Sequence, residues 1–280
     1  MNKIIFIADF FSNQVLGGGE LNNEELIVML RNVNFDVVEI NSQNVTINFL
    51  KENEECFFII ANFAFLNIES IKFISKNCKF VIYEHDHKYL KNRNPGLFDN
   101  FLAPKSELAN VEFYKNAKAV LLQSELHKQI VFKNLNLNNL VNLGGNLWSI
   151  KTLELLEKLS YLDKQDSYAI MDSQISHKNT FEAKRYCEFK KYDYNLVKSS
   201  NYVQFLQSLG KNKGLVFFPK TPETLSRIVV ESRMMGMSII TNNIVGATSE
   251  NWYSLKGKEL IQIMYEKREQ ILNIVMESIS

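Results

Sequence analysis

Apolar residues occur in two patterns along this chain. In the first, short stretches are apolar at consecutive positions, as in Lys3–Ala8 (KIIFIA) and Lys79–Tyr83 (KFVIY). Because a strand with one solvated face alternates apolar and polar residues, these continuous runs predict strands of a parallel sheet covered on both faces. The same pattern predicts strands at Phe35–Ile40, Phe57–Phe63, Ala119–Gln123, Tyr168–Met171, Tyr194–Val197, Gly214–Phe218 and Ser238–Thr241.

In the second pattern, apolar residues recur at helical spacing between the predicted strands. The segment Glu20–Arg31, for example, is apolar at Leu21, Leu26, Ile27 and Leu30. Regular alternation of strands and helices predicts right-handed crossovers and a doubly wound α/β fold. Further helices are predicted at Ile68–Ser75, Ser124–Lys133, Thr152–Leu162, Lys178–Phe189, Tyr202–Leu209, Thr224–Met235 and, as a long terminal helix, Gly257–Ile279.

The alternation restarts after about residue 150, beyond the glycine-containing stretch Val141–Ser149. We therefore predict a Rossmann-like domain over residues 1–150 and a second one over 151–262. Residues 263–280 form the end of the terminal helix, which can return to the first domain. Two doubly wound domains leave a cleft where the carboxyl ends of both sheets meet, and ligands bind at that edge.

Composition narrows the class of protein. With 32 Lys and Arg against 31 Asp and Glu, the net charge of +1 provides no overall attraction to nucleic acid or acidic membranes, although a local basic patch remains open. The 3 cysteines lie far apart and outline neither a disulfide framework nor a zinc site. No segment approaches the roughly 18 apolar residues of a membrane helix. We expect a cytoplasmic protein.

Two segments place phosphate-binding groups just after a predicted strand. Gly17, Gly18 and Gly19 precede Glu20 and open a helix, so the backbone can approach a phosphate or sugar closely. A flexible helix entry is the alternative. Lys178 opens a helix after the first strand of the second domain and is positioned to neutralise a diphosphate. The alternative interpretation is that Lys178 is an ordinary surface lysine.

Ionisable residues follow the strand that ends at Tyr83. Glu84, His85, Asp86 and His87 are consecutive, and packing alone does not explain them at the carboxyl end of a buried strand. In an extended segment, His85 and His87 share one face and the two carboxylates the other. A histidine that hydrogen-bonds a substrate is the favoured interpretation. The alternatives are a solvated strand exit and a metal site, for which no third ligand is suitably spaced.

A pair of glutamates flanks the start of a predicted helix in the second half. Glu223 lies in a proline-bounded turn, and Glu231 lies about two helical turns, roughly 11 Å, further along the axis. Between them, the free amide groups of Thr224 to Ser226 would face a diphosphate. The carboxylates would then accept hydrogen bonds from hydroxyls of a sugar and of a ribose. Two glutamates eight residues apart also occur by chance.

These segments together resemble the retaining glycosyltransferases of the GT-B fold, most closely family 4. The segment Glu223–Glu231 resembles the E-x7-E motif of that family, and its flank Met235–Thr241 also fits. Gly17–Glu20 resembles the family's N-terminal G-G-x-E loop, and Val141–Leu147 its interdomain segment. The resemblance implies an α/β protein with two Rossmann-like domains facing a cleft.

The resemblance also implies an activity and roles for individual residues. Such enzymes transfer a sugar from a nucleotide-diphosphate sugar with retention, and they need no metal or other cofactor. Glu231 would bind the ribose, Lys178 the diphosphate, and Glu223 and His85 the donor sugar, the last two being the catalytic residues. The donor-binding set is Gly17, Gly18, Gly19, Lys178, Glu223, Thr224, Leu225 and Glu231.

The acceptor class stays open between a glycan, a lipid-linked sugar and a hydroxymethylated base in DNA. Lys88–Arg93 (KYLKNR) mixes basic and aromatic residues, as a nucleic-acid groove would, although a solvated loop is the modestly favoured interpretation. A basic stripe on this side of the cleft would favour DNA, and an apolar rim would favour a lipid. The predicted acceptor side comprises Glu20, Asp86, His87, Lys88 and Arg93.

Two other functions remain as alternatives. Ser173 stands where the family has an arginine five residues before its lysine, which motivates a binding protein of the same fold without catalysis. Arg227 and Arg185 are the candidates to replace that arginine. The other alternative is a nucleotide-sugar 2-epimerase, which would need additional acid and base carboxylates in the cleft.

Overall fold

The computed structural model describes residues 2–279 and contains two parallel β-sheets. The first sheet has six strands in the order β2-β1-β3-β4-β5-β6. Each strand pairs in parallel with its neighbours, as the continuous apolar runs predict. The strands are β1 (Lys3–Ala8), β2 (Asp36–Asn41), β3 (Phe57–Ile60), β4 (Lys79–Tyr83), β5 (Val120–Leu122) and β6 (Leu140–Asn142).

Helices cover this sheet on both faces. Ile5 and Ile7 of β1 join one buried cluster, whereas Ile4 and Phe6 join a second cluster on the opposite face. Successive strand residues point to opposite faces, so a strand between two apolar layers is apolar at every position. The connecting helices are α1 (Gly18–Asn32), α2 (Ile47–Glu52), α3 (Ile68–Asn77), α4 (Val111–Asn116) and α5 (Glu125–Leu135).

The second sheet has four strands in the order β10-β9-β7-β8, again all parallel. Both sheets therefore have the doubly wound alternation of strands and helices that the sequence predicts. The strands are β7 (Gln165–Met171), β8 (Tyr194–Val197), β9 (Asn212–Phe217) and β10 (Ser238–Thr241), and the helices are α6 (Ile150–Ser160), α7 (Thr180–Lys190), α8 (Tyr202–Gly210) and α9 (Arg227–Met234).

The terminal helix α10 (Gly257–Ile279) contacts both halves of the protein. Leu260 and Met264, near its start, are buried in the core around the second sheet. Ile271 and Val275, further along, are buried against β1 and α1. No helix within residues 2–279 combines the length and apolar character needed to cross a membrane.

Three short elements and several boundaries differ from the sequence prediction. The strand predicted at Phe57–Phe63 ends at Ile60. Lys178 does not open a helix as predicted: it ends a short 3-10 turn, and α7 begins at Thr180.

The helix predicted from Thr224 begins at Arg227, because residues 223–225 pair with the segment after β10. The Glu223 amide donates to the Ile244 carbonyl at 2.9 Å, and the Gly246 amide donates to the Glu223 carbonyl at 2.8 Å. The three elements that were not predicted are α2, α4 and the three-residue strand β6, because their sequences have no strong periodic pattern.

Replacing Ile271 by alanine tests the packing of α10 on the first half. This side chain is fully buried, so we expect Ile271→Ala to lower the free energy of unfolding by about 2–5 kcal/mol in denaturant titrations. Asn273→Ala, at an exposed position of the same helix, is the matched control and should change stability by less than about 0.5 kcal/mol. Equal stability of the two variants would contradict this packing.

Candidate functional site

A cleft of about 450 Å³ lies between the two halves, at the carboxyl ends of both sheets. This size falls in the range of small-molecule sites, about 300–1,000 Å³. Both halves contribute to its wall, and many of the residues predicted from sequence line it. These are Gly17, Gly18, Gly19, His85, Lys178, Glu223, Thr224 and Glu231.

Glu231 is the most deeply buried charged group of the cleft, with 2% of its surface exposed. Its Oε1 accepts hydrogen bonds from Trp148 Nε1 at 2.9 Å and the Tyr202 hydroxyl at 2.5 Å. Arg227 Nε lies 3.3 Å from the same oxygen. Burial and the adjacent carboxylate raise the pKa of Tyr202, so its hydroxyl stays protonated and donates. The carboxylate is therefore fixed in position before any ligand binds.

Arg227 brings a positive charge to the cleft wall beside the glycine loop. Its guanidinium lies over the Trp148 ring, 4.4 Å from the centroid, and Nη1 donates to the Leu147 carbonyl at 2.6 Å. A Cβ added at Gly18 would lie 3.0 Å from Arg227 Cδ, so glycine permits this approach. Arg185, the other candidate to replace the family arginine, instead pairs with Glu182 on α7 at 3.3 Å and does not line the cleft.

Lys178 and Glu223 form an ion pair in the second half of the cleft. Lys178 Nζ lies 2.8 Å from Glu223 Oε1, and both side chains are largely buried. Pairing of residue 223 with Val245 fixes the backbone beneath this glutamate. The sequence analysis predicts that Lys178 binds the diphosphate of the ligand and that Glu223 binds its sugar. In the structure these two side chains contact each other. An anion that binds Lys178 therefore competes with a carboxylate for the ammonium group.

His85 lines the cleft with both ring nitrogens engaged. The Gln123 side-chain amide donates to Nδ1, which assigns the ring proton to Nε2, and Nε2 donates to Asn23 Oδ1 at 2.6 Å. Burial, together with the charges of Lys88 and Arg227, lowers the pKa of His85 to about 3. The imidazole is therefore neutral near pH 7, and the geometry favours a fixed polar wall over a general base.

Gln123 also connects the two halves of the protein. Its Oε1 accepts a hydrogen bond from the Thr224 hydroxyl at 3.0 Å, and the neighbouring Ser124 hydroxyl donates to the Thr224 carbonyl at 2.6 Å. The sequence analysis missed Gln123 as a site residue. The feature that could have identified Gln123 is its position at the polar end of the apolar run Ala119–Gln123, where a parallel strand reaches the ligand-binding edge of the sheet.

The prediction that His85 and His87 share one face of an extended segment is wrong. Strand β4 ends at Tyr83, so the side chains after it no longer alternate. His87 is only 1% exposed, its ring packs against His127 at 5.1 Å, and Nδ1 contacts the Tyr89 hydroxyl at 3.2 Å. Within residues 2–279, no cluster of three or more histidine, cysteine, aspartate or glutamate side chains outlines a metal site.

The assignment of His87 and Lys88 to an accessible acceptor side is also wrong, because both residues are buried. Lys88 is 4% exposed, and its ammonium group pairs with Glu84, which also accepts a hydrogen bond from the Tyr114 hydroxyl. The neighbouring Tyr89 is fully buried. A buried carboxylate requires such partners, and this requirement draws the lysine inward. Two side chains of the basic and aromatic segment Lys88–Arg93, those of Lys88 and Tyr89, are therefore buried and do not contribute to the surface.

The other predicted residues do not line the cleft. Asp86 and Arg93 form a partly exposed ion pair, with 3.4 Å between Asp86 Oδ2 and Arg93 Nη1. Glu20 is half-buried at the start of α1, and burial raises the pKa of its carboxyl. Leu225 is fully buried in the core of the second half and does not line the cleft. Its side chain stabilises the loop, and only its backbone is a candidate for ligand contact.

Comparison with known proteins gives structural likeness without sequence similarity. No protein-family model matches the chain, and no curated protein matches it. HepE of Anabaena, solved in complex with UDP and glucose, has a TM-score of 0.55 at 11% identity, over 100% of this chain and 96% of that chain. The catalytic domain of starch synthase IV from Arabidopsis thaliana, bound to ADP and acarbose, has a TM-score of 0.55 at 9% identity, over 99% and 95% of the chains.

A third structure has the same overall likeness. An alpha-glucosyltransferase, solved in complex with UDP-glucose and DNA containing an abasic site, has a TM-score of 0.52 at 10% identity, over 99% of this chain and 91% of that chain. The predicted fold class is thereby confirmed: the chain has the GT-B fold, with two parallel sheets and a long terminal helix. At these identities the likeness concerns the fold, and it does not test the family-4 assignment.

Three histidines with lowered pKa values predict a characteristic dependence of stability on pH. Burial lowers the pKa of His85 to about 3, that of His87 to about 4, and that of His127 well below its usual value. Below pH 6.5 the unfolded chain binds protons that the folded chain excludes. Each such histidine therefore lowers the free energy of unfolding by up to about 1.4 kcal/mol per pH unit as pH falls from 6.5 towards its folded pKa.

We expect His127→Asn to reduce the number of protons taken up on unfolding by about one between pH 6.5 and 4.5. The measurement is the slope of unfolding free energy against pH, from denaturant titrations at several pH values. Gln129→Asn, an exposed change on the same helix, is the control and should keep the wild-type slope. A His127→Asn slope equal to that of the wild type would show that His127 is protonated in the folded protein.

Proposed function

We propose that this protein is a retaining, metal-independent glycosyltransferase that moves a sugar from a nucleotide-diphosphate sugar to an acceptor hydroxyl. One observation carries the proposal: a cleft between two Rossmann-like halves brings together the glycine loop, Arg227, Lys178 and two glutamates. Structures of the same fold support it, since HepE was solved with UDP and glucose, and an alpha-glucosyltransferase with UDP-glucose and DNA.

In this proposal the donor extends along the cleft from Glu231 to Glu223. The fixed carboxylate of Glu231 accepts hydrogen bonds from ribose hydroxyls at one end. The diphosphate lies between the amide groups of the Gly17–Gly19 loop and the cations of Arg227 and Lys178. The sugar lies next to Glu223 and the wall formed by His85. Binding of the diphosphate to Lys178 releases Glu223 from its ion pair and makes its carboxylate available to sugar hydroxyls.

The proposed reaction breaks the bond between the anomeric carbon and the diphosphate and forms a bond from that carbon to the acceptor oxygen. Arg227 and Lys178 stabilise the negative charge that develops on the leaving diphosphate. The acceptor proton passes to the departing phosphate oxygen, because both nitrogens of His85 already have partners. Arg227 thus provides the charge that Ser173 does not, which favours an active enzyme over an inactive binding protein.

The epimerase alternative finds less support in the cleft. The carboxylates among the described residues that line it are Glu223 and Glu231. Each is paired with a cation, Glu223 with Lys178 and Glu231 with Arg227. An epimerase would need carboxylates that are available to exchange protons with the substrate, and both of these are engaged in ion pairs. Transfer to an acceptor is therefore the function that the geometry supports best.

Conservative changes of the two glutamates separate nucleotide binding from turnover. We expect Glu231→Gln to weaken binding of the nucleoside diphosphate about 10-fold or more, because a hydrogen bond to a charged group contributes about 1.5–3 kcal/mol. Glu223→Gln should lower kcat at least as strongly and change nucleotide Kd less than about 3-fold. The readouts are calorimetric titration and steady-state kinetics.

Glu182→Gln, an exposed change on α7, is the control for these two variants and should behave as the wild type. Glutamine preserves the size of each side chain, so circular dichroism and thermal unfolding should show folded proteins. Unchanged nucleotide affinity and unchanged kcat in both cleft variants would exclude the proposed roles of Glu223 and Glu231.

Chelation tests the proposed independence from metal. We expect glycosyl transfer to continue in excess EDTA at no less than about 80% of the untreated rate, because Arg227 and Lys178 supply the cations for the leaving diphosphate. The measurement is release of the nucleoside diphosphate with and without EDTA. Complete loss of activity that added Mg²⁺ or Mn²⁺ restores would contradict the proposal and implicate a metal ion.

A further inference from the structure

Ser226 lies in the wall of the cleft, and its backbone is strained. Its φ angle is +76° and its ψ angle is 87°, in the left-handed region that favours glycine. Of the nine non-glycine residues with positive φ in the part of the chain that the structure describes, Ser226 alone lines the cleft. A serine costs more free energy than a glycine in this conformation, which points to a role for its side chain.

Hydrogen bonds on both sides hold the backbone of Ser226 in this conformation. The Leu225 carbonyl accepts a hydrogen bond from the Ala247 amide at 3.0 Å, and the Ser226 carbonyl accepts from the amides of Val229 at 3.1 Å and Val230 at 3.3 Å. Leu225 is also fully buried. Because these contacts fix the backbone, any residue with a Cβ at position 226 is strained.

The Ser226 hydroxyl has no hydrogen-bond partner within residues 2–279. A serine that precedes a helix usually accepts a hydrogen bond from an amide of the first turn, but Ser226 makes no such bond to α9. The residue is 7% exposed, and its Oγ is buried and unpaired. Buried polar atoms without a partner are costly and rare in native proteins. The hydroxyl is therefore available to a ligand.

A second unpaired oxygen belongs to a residue of the first half that lines the same cleft. Asn146 is 4% exposed, and its Oδ1 is buried without a hydrogen-bond partner among the described residues. Asn146 precedes Leu147, whose carbonyl accepts from Arg227 Nη1 at 2.6 Å, and Ser226 precedes Arg227. One hydrogen bond between the two segments therefore brings Asn146 and Ser226 to the same part of the cleft.

The chemistry of the two oxygens identifies the group that suits them. A hydroxyl both donates and accepts, so one ligand hydroxyl can donate to Asn146 Oδ1 and accept from Ser226 Oγ. A phosphate oxygen only accepts, so it would pair with Ser226 and leave a negative charge facing Asn146 Oδ1. An apolar group would leave both oxygens unpaired. Rotation of these short side chains about their χ angles can turn each oxygen towards a hydroxyl at the cleft wall.

We propose that Ser226 and Asn146 bind one hydroxyl of the transferred sugar and thereby determine which sugar the protein accepts. This inference rests on the proposed function, in which the sugar lies next to Glu223 and His85. The Thr224 hydroxyl donates to the His85 carbonyl at 3.3 Å, and Ser226 follows two residues later, so the pair lies at the sugar end of the donor. A site built to hydrogen-bond a substrate hydroxyl discriminates strongly against an analogue that lacks it.

The test measures binding to the full-length protein by calorimetry. The probes are the glucose and galactose conjugates of uridine, adenosine, guanosine and thymidine diphosphate, the free nucleoside diphosphates, and analogues of the tightest-binding conjugate that each lack one sugar hydroxyl. For one of these hydroxyls, we expect its loss to weaken binding to the wild type about 10-fold. The same loss should weaken binding to Ser226→Ala and to Asn146→Ala less than about 3-fold, and Kd for the free nucleoside diphosphate should stay within about 2-fold.

Ser226→Gly separates the role of the hydroxyl from that of the strain. Because glycine adopts this backbone conformation freely, the variant should unfold at the same temperature as the wild type or higher, yet lose the same discrimination as Ser226→Ala. It also serves as the second variant if Asn146→Ala does not fold. Lys191→Gly is the matched control, since Lys191 has a φ angle of +56°, is exposed and does not line the cleft. This control should keep the wild-type discrimination.

Three results would overturn the inference. The first is equal discrimination among the deoxy analogues by the wild type and by folded Ser226→Gly. The second is a loss of affinity in Ser226→Ala that is as large for the free nucleoside diphosphate as for its sugar conjugate, which would assign the hydroxyl to the diphosphate. Both leave the proposed function standing, since a nucleotide still binds. The third is a lack of binding by any nucleoside diphosphate, which removes the proposed function and this inference with it.

Discussion

The buried contact between Glu231 and Arg227 is the constraint on which the rest of the cleft depends. A carboxylate that is 2% exposed is stable only with complete hydrogen bonding, and its partners come from three separate segments: Trp148, Tyr202 and Arg227. Trp148 and Tyr202 pack in the core of the second half, as does α9, which carries Glu231 and Arg227. Satisfying this one charge therefore orders the second-half wall of the cleft and fixes the position of Arg227.

This network extends into the first sheet through polar contacts. Arg227 donates to the Leu147 carbonyl at 2.6 Å, and the Leu147 amide donates to Asn22 Oδ1 at 2.6 Å. Asn22 in turn donates to the Tyr83 hydroxyl at 2.6 Å, at the end of β4. The cleft wall is thus one connected structure, in which the glycine loop, the strand end that carries His85, and α9 have fixed positions.

The charged side chains that line the cleft all come from the second half of the protein. Arg227 and Glu231 lie on α9, and Lys178 and Glu223 lie in the loops that follow β7 and β9. The first half contributes the glycine loop and the neutral His85. The two halves therefore supply different chemistry to one cleft.

Sequence alone predicts the strands best where packing on both faces leaves no choice of residue, as at Lys3–Ala8 and Lys79–Tyr83, whose bounds agree with β1 and β4. It fails where a tertiary contact overrides a local pattern. The helix predicted from Thr224 begins three residues later, because Glu223 pairs with the segment at Val245.

The candidate site shows the same limit. The Glu223 and Glu231 spacing and the glycine triplet are visible in the sequence, and both line the cleft. The burial of Lys88 depends on Glu84 and Tyr114, and the choice of Arg227 over Arg185 depends on how α9 packs against Trp148. Local spacing alone encodes neither, because each also depends on a residue distant in sequence: Tyr114 for the Glu84–Lys88 pair and Trp148 for Arg227.

The proposed function requires this cleft to bind a nucleoside diphosphate and its sugar. The most direct measurement is thermal unfolding of the protein against a panel of nucleoside diphosphates and nucleotide sugars. A ligand that binds only the folded state, at 100 times its Kd, raises the free energy of unfolding by about 2.7 kcal/mol. We predict a rise in the unfolding midpoint that is selective for one nucleotide. No rise with any member of the panel at millimolar concentration would contradict the proposed function.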